Sequence, residues 1–141
     1  MPPRRAPLTA ATPLRRTPGP QRTPMARKAP QRTSEEALAR RVVALRSLGV
    51  CEGCGQRAAQ EWAHRIARSQ MGRWCPSNGL HLCSAGCHAR AHANPAWARD
   101  MGWILRAGSD PAAAPVWLAA HGWALLDPDG GITAAPTGDA A

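Results

Sequence analysis

Two closely spaced cysteine pairs, Cys51-Glu52-Gly53-Cys54 and Cys83-Ser84-Ala85-Gly86-Cys87, bracket a stretch that holds His64, Arg65 and Asn78. The second pair runs straight into His88, with His92 four residues on. Cys-x2-Cys and Cys-x3-Cys are spacings at which a single turn presents two thiolates to a tetrahedral ion. Cys51, Cys54, Cys83 and Cys87 therefore make a four-thiolate set for a structural Zn2+. Gly53 and Gly55 suit such a knuckle, whose backbone needs positive φ near the second sulfur. Disulfides or a redox dithiol are the competing chemistries for the same pairs. The imidazoles are a second kind of donor. His88 and His92 share a face if their segment is helical and can then hold one divalent ion. Two imidazoles suit Zn2+, Ni2+ or Mn2+ better than Mg2+. Taken singly, each histidine is more often a structural hydrogen-bonding group.

Short elements must position these groups. Thr33-Ser34-Glu35-Glu36 fits a capping box, and Leu38, Val42, Leu45 and Leu48 then recur at helical spacing up to Gly49. This predicts a helix over 34–48 whose leucine face packs on the core around the cysteines. The alternation of Trp62, His64 and Ile66 predicts a strand around 58–66, and Gly79-Leu80-His81-Leu82 reads as its return strand. Residues 67–78 between them are turn-rich and read as an irregular loop. Residues 87–93 predict a helix stopped near Asn94-Pro95, and 95–101 a second helical piece. Strands are expected at Trp103-Ile104-Leu105, Pro115-Val116-Trp117-Leu118 and Trp123-Ala124-Leu125-Leu126. Asp127-Pro128-Asp129-Gly130-Gly131 is a turn signal, and 132–141 read as frayed. His81, His121 and the six tryptophans are expected to be packing and structural residues, and Cys75 a spare thiol.

The chain has 141 residues and a net charge of +9, unevenly placed. Residues 1–33 hold seven arginines and Lys28 with no acid and eight prolines, in loose repeats of Arg-Thr-Pro. Such an arm is expected to be disordered and extended. A polyanion, most often nucleic acid, is the usual partner of that charge; a solubilising tail is the alternative. The rest carries ten arginines against nine acids and is nearly neutral. With no Phe or Tyr, core material is thin. A core of that size supplies only roughly 3–5 kcal/mol, whereas a structural zinc contributes on the order of 10–16 kcal/mol. No secretory leader and no apolar run long enough to cross a membrane are evident. The cysteines are thus expected to stay reduced, as in a cytoplasmic protein.

Taken in order, Cys51-x2-Cys54, His64-Arg65, Ser77-Asn78-Gly79-Leu80-x-Leu82-Cys83 and Cys87-His88-x3-His92 resemble the HNH endonuclease family. The nearest likeness is to the small HNH proteins of phages and mobile elements, and it covers about residues 50–93. The basic arm also looks like those preceding some phage members. The resemblance implies an α+β protein built on a ββα-metal finger, a hairpin and helix with a divalent ion between them. Around this core stand the N-terminal helix, a short C-terminal β segment and the basic arm, giving an arm over 1–33, a nuclease domain over 34–131 and a tail over 132–141. It further implies hydrolysis of DNA phosphodiesters to leave a 5′-phosphate, with one catalytic Mg2+, Mn2+, Ni2+ or Zn2+.

By motif position, His64 is the general base that activates water and Asn78 holds the loop that orients it. His88 is a ligand of the catalytic ion and His92 a further one. A neutral imidazole is a suitable base near pH 7, and a cation on the scissile phosphate stabilises developing charge. Arg65, Arg68 and Arg73 sit where they could grip flanking phosphates, or they are solvated loop residues. Many members carry Asp or His just before the base, and here that residue is Ala63. Three consequences stay open: an ion that binds weakly until DNA arrives, His64 as itself a ligand, or an impaired site. Glu61 could substitute for the ligand missing at Ala63, but strand alternation aims it away from the face of His64. The alternative function is a non-catalytic zinc-binding module that engages DNA or a protein partner.

Overall fold

A computed structural model describes residues 33–136, so the expected disorder of the arm over 1–32 and the fraying of 137–141 lie outside the described residues. The architecture is mixed α+β: three helices, a two-stranded sheet and a three-stranded sheet. Helix α1 spans Ser34–Ser47. Its start is fixed by Thr33, whose Oγ1 accepts from the Glu36 N–H at 3.2 Å. Its end comes as Leu48 and then Gly49 turn left-handed, with φ of 52° and 75°.

The face that α1 buries differs from the expected one. Ala39 and Val43 are 2% and 1% exposed, while Leu38, Leu45 and Leu48 stand 64–85% exposed. The small residues allow close approach, and a buried ion pair sets the rotation of the helix. Arg46 Nε and Nη2 donate to the two Glu52 carboxylate oxygens at 2.7 and 3.0 Å, and its Nη1 and Nη2 also donate to the carbonyls of Pro76 and Gly79. One arginine therefore joins α1 to the first cysteine knuckle and to the return strand. Glu52 also accepts from the His81 N–H at 2.7 Å, and the Nδ1 of His81 faces Ser47 Oγ at 2.7 Å, the structural role expected of His81.

Strands β1 (Glu61–His64) and β2 (Gly79–Leu82) pair antiparallel, with His64 opposite Gly79 and Ala63 opposite Leu80. The connection between them contains two single 3-10 turns, at Arg68–Gln70 and Pro76–Asn78. A π turn over Ser84–His88 follows β2 and passes directly into helix α2 (Ala89–Ala93); helix α3 (Pro95–Asp100) comes next. Strands β3 (Val116–Leu118), β4 (Gly122–Leu126) and β5 (Ile132–Ala134) form an antiparallel meander.

Two expectations are corrected here. Trp103–Leu105 is not a strand: Trp103 and Ile104 N–H groups both donate to the Ala98 carbonyl, which closes α3 into a turn. Nor is the whole of 132–141 frayed, because Ile132–Ala134 returns beside β4 once Asp127 accepts from the Asp129 and Gly131 N–H groups and shapes the turn.

The core joins both halves. Leu80, Leu82, Cys51 and Cys83 from the hairpin region pack with Ala98, Trp103, Val116, Leu118, Ala124 and Leu126 from the C-terminal part. Trp103 lies against the first knuckle so closely that a Cβ on Gly53 would stand 2.4 Å from its ring. Gly53 is thus required for close approach, while the positive φ expected of the knuckle is found at Gly55, at 66°. The short aromatic list is used here, as the ring of Trp103 roofs the cysteines and its Nε1 donates to the Trp117 carbonyl at 2.8 Å.

Candidate functional site

The first knuckle is a turn in which Gly55 N–H donates to the Cys51 carbonyl and Cys51 N–H to the Arg57 carbonyl, both at 2.8 Å. The second pair arrives at the end of β2 and on the π turn. The four Sγ atoms lie within 4.8 Å of one another, and none is in a disulfide. A tetrahedron of sulfurs about 2.3 Å from a zinc has edges of about 3.8 Å, so this cluster could hold a metal ion such as zinc. Backbone donors already point at the sulfurs: Cys83 N–H donates to Cys51 Sγ and Cys87 N–H to Cys83 Sγ, each at 3.2 Å. Burial pushes the Cys51 and Cys87 thiols up, whereas the Gln56 backbone N–H draws Cys54 down to about 7. Four thiols so crowded resist ionising together, a cost that a divalent cation removes.

His64, Ala63, Arg68, His88 and His92 line one cleft of about 380 Å3. The ring of His64 packs edge-on against Trp74, with centroids 4.3 Å apart, and against Trp62 at 5.6 Å. Its Nε2 is enclosed with no hydrogen-bond partner. Burial, reinforced by the charges of Arg68 and Arg40, lowers its pKa from near 6.5 to about 4. His64 is therefore a neutral imidazole throughout the physiological range. Arg40 and Arg68 stand over the Trp74 ring at 4.7 and 5.6 Å, so indole and guanidinium groups make one polar-aromatic wall beside His64.

Asn78 is 1% exposed and acts as a clamp on the segment that follows β1. Its Oδ1 accepts from Ile66 N–H at 2.7 Å, and its Nδ2 donates to the carbonyls of Ile66 and Arg73 at 3.2 and 3.0 Å. Its own carbonyl accepts from Arg65 N–H at 2.9 Å. The backbone immediately after His64 is thereby fixed to the start of β2.

Arg65 corrects the expectation of a phosphate contact. It is fully buried, and its guanidinium donates to five carbonyls, those of Gly102, Ser77, Pro111, Ala114 and Pro115, at 2.7–3.1 Å. Burial lowers its pKa to about 10, which leaves it charged but facing no carboxylate. It ties His64's neighbour to the chain ahead of β3 and has no donor left for DNA. Arg68 and Arg73 are exposed.

His88 and His92 do come together, Nε2 to Nε2 at 3.1 Å, with their rings 4.7 Å apart. Among the described residues, however, the four cysteines are the one set of three or more possible ligands within 4.8 Å of one another. His64 is thus not a third ligand to the His88–His92 pair in this conformation. Glu61, which sequence reasoning weighed as a substitute ligand and set aside, pairs through its Oε2 with the Nδ1 of His88. Alternation does turn Glu61 away from His64; it did not reveal the contact with His88. No helix among the described residues is long and apolar enough to cross a membrane. Comparison of the chain with protein-family models, with curated proteins and with solved structures finds no match.

Proposed function

We propose that the protein is a metal-dependent endonuclease of HNH type, its β1–β2 hairpin and the following helix forming a ββα-metal finger on a zinc-tetrathiolate frame. The observation that carries this reading is the one cleft lined by a neutral, desolvated His64 and the convergent pair His88 and His92, with Asn78 clamping the loop after β1. His64, a neutral imidazole whose Nε2 is enclosed, takes the proton of an attacking water. Asn78 holds the backbone that aims the imidazole, and Arg68 and Arg73 contact the phosphates on either side. His88 and His92 hold the catalytic ion, which when bound supplies a positive centre on the scissile phosphate. DNA is the polyanion of the reading, and the basic arm adds non-specific affinity that weakens with salt.

A non-catalytic zinc module is the second reading. Ala63 and the want of a third ligand beside His88 and His92 favour it. Plasmid nicking separates the two. Wild type should nick with Mn2+, and His64→Ala should lose about 100-fold or more of that rate while still unfolding cooperatively. DNA that shifts in a gel and is never nicked supports the second reading.

A further inference from the structure

We propose that Glu61 is the positioning residue of the two-imidazole site, acting through His88 on whichever divalent ion the His88–His92 pair takes up. This rests on the reading of the cleft as a metal site. A carboxylate only accepts hydrogen bonds, so its contact with the Nδ1 of His88 places the ring proton there and leaves a lone pair on Nε2. That lone pair points at Nε2 of His92, 3.1 Å away, close enough for one ion with bonds of about 2.0–2.1 Å to reach both nitrogens. A carboxylate on the far nitrogen of a metal-binding imidazole fixes its tautomer and ring orientation and raises its basicity.

The local sequence arranges this. Glu61 and Ala63 lie on one face of β1, two residues apart, and Glu61 pairs in register with Leu82, just before the cysteine turn that carries His88. With alanine where a ligand is expected, the site has two imidazoles and one carboxylate behind them. Such a donor set takes Mn2+, Ni2+, Co2+ or Zn2+ in preference to Mg2+. Glu61 is not itself a third donor in this arrangement, since no three ligand atoms of the cleft fall within 4.8 Å of one another.

The test uses full-length, zinc-loaded protein without DNA, titrated with Mn2+, a cation that does not displace zinc from thiolates. Free Mn2+ is followed by electron paramagnetic resonance. Glu61→Gln should weaken Mn2+ binding about 10- to 100-fold, and His92→Ala should weaken it at least as much, with the melting temperature unchanged in both. Wild-type affinity in Glu61→Gln, or no Mn2+ binding by the wild type, overturns the proposal. Long-range 1H–15N correlation of the Mn2+-free wild type reads the tautomer directly. A proton on Nδ1 of His88 is expected, and one on Nε2 overturns it. These readouts do not depend on cleavage, so a protein that fails to nick DNA but loses Mn2+ with Glu61 keeps this inference and discards the nuclease reading. One that nicks while Glu61→Gln binds Mn2+ normally does the reverse.

Discussion

The four-cysteine centre and the histidine cleft share one short stretch of chain, since Cys87 and His88 are neighbours on the same π turn, yet they are built to opposite specifications. At the cysteines every donor is in place. The sulfurs lie within 4.8 Å of one another, those of Cys51, Cys54 and Cys83 accept backbone N–H groups, and Trp103 packs against the first knuckle. In the cleft two imidazoles converge, a carboxylate stands behind one of them, and the rest of the surroundings are open. A closed, complete ligand set suits a structural ion, and one with free positions suits chemistry at the ion. On the proposed reading a single turn serves both: a metal at the cysteines would fix the backbone, so the histidine side could remain under-coordinated and still hold its geometry.

The largest expected effect lies on the cysteine side. Cys51→Ser should leave no cooperative unfolding transition, because it removes a term on the order of 10 kcal/mol; a melt followed by circular dichroism checks this. A variant that still folds cooperatively would erase the contrast, as the cluster would then not be the frame.

Arg65→Ala comes next. It leaves five carbonyls without their donor and empties a fully buried site, and should cost about 3 kcal/mol or more in urea unfolding. Were Arg65 a phosphate contact, the same change would lower DNA affinity and leave stability alone.

The smallest effect sharpens the cleft side. His64 has a folded-state pKa near 4, below its ordinary 6.5, so the folded protein holds the neutral ring more firmly than the unfolded chain does. Its contribution is fully present above pH 6.5 and is lost as the pH falls towards 4. Thermal melts across that window should fall less steeply for His64→Gln than for wild type, a difference that cancels the acid sensitivity of the cysteines common to both. Parallel slopes would mean that His64 is solvated.

The cysteine side was also the more legible in sequence, for a physical reason. Ligand spacing is a local constraint, so Cys-x2-Cys and Cys-x3-Cys announce themselves within a few residues. The hairpin was legible too, because alternation at Trp62 and His64 and the glycine opening β2 are local signals. The face of α1 was not. The leucines and the Ala39–Val43 pair both recur at helical spacing, and the choice between them falls to Arg46, whose partners Glu52, Pro76 and Gly79 lie 6–33 residues away. Arg65 looked like any loop arginine, since its five acceptors lie 12–50 residues downstream and are carbonyls that carry no side-chain signature. Glu61 was judged against His64 on its own strand, whereas its partner sits on the turn beyond β2. In each case long-range packing supplied what periodicity could not.

The most direct test of the division between frame and cleft is metal analysis and plasmid nicking on one preparation, wild type beside His88→Ala. About one zinc per chain should survive mild chelation in both proteins. Nicking should return to the wild type alone when Mn2+ is added. A folded, zinc-loaded wild type that never nicks DNA, or an equally active His88→Ala, would contradict the account.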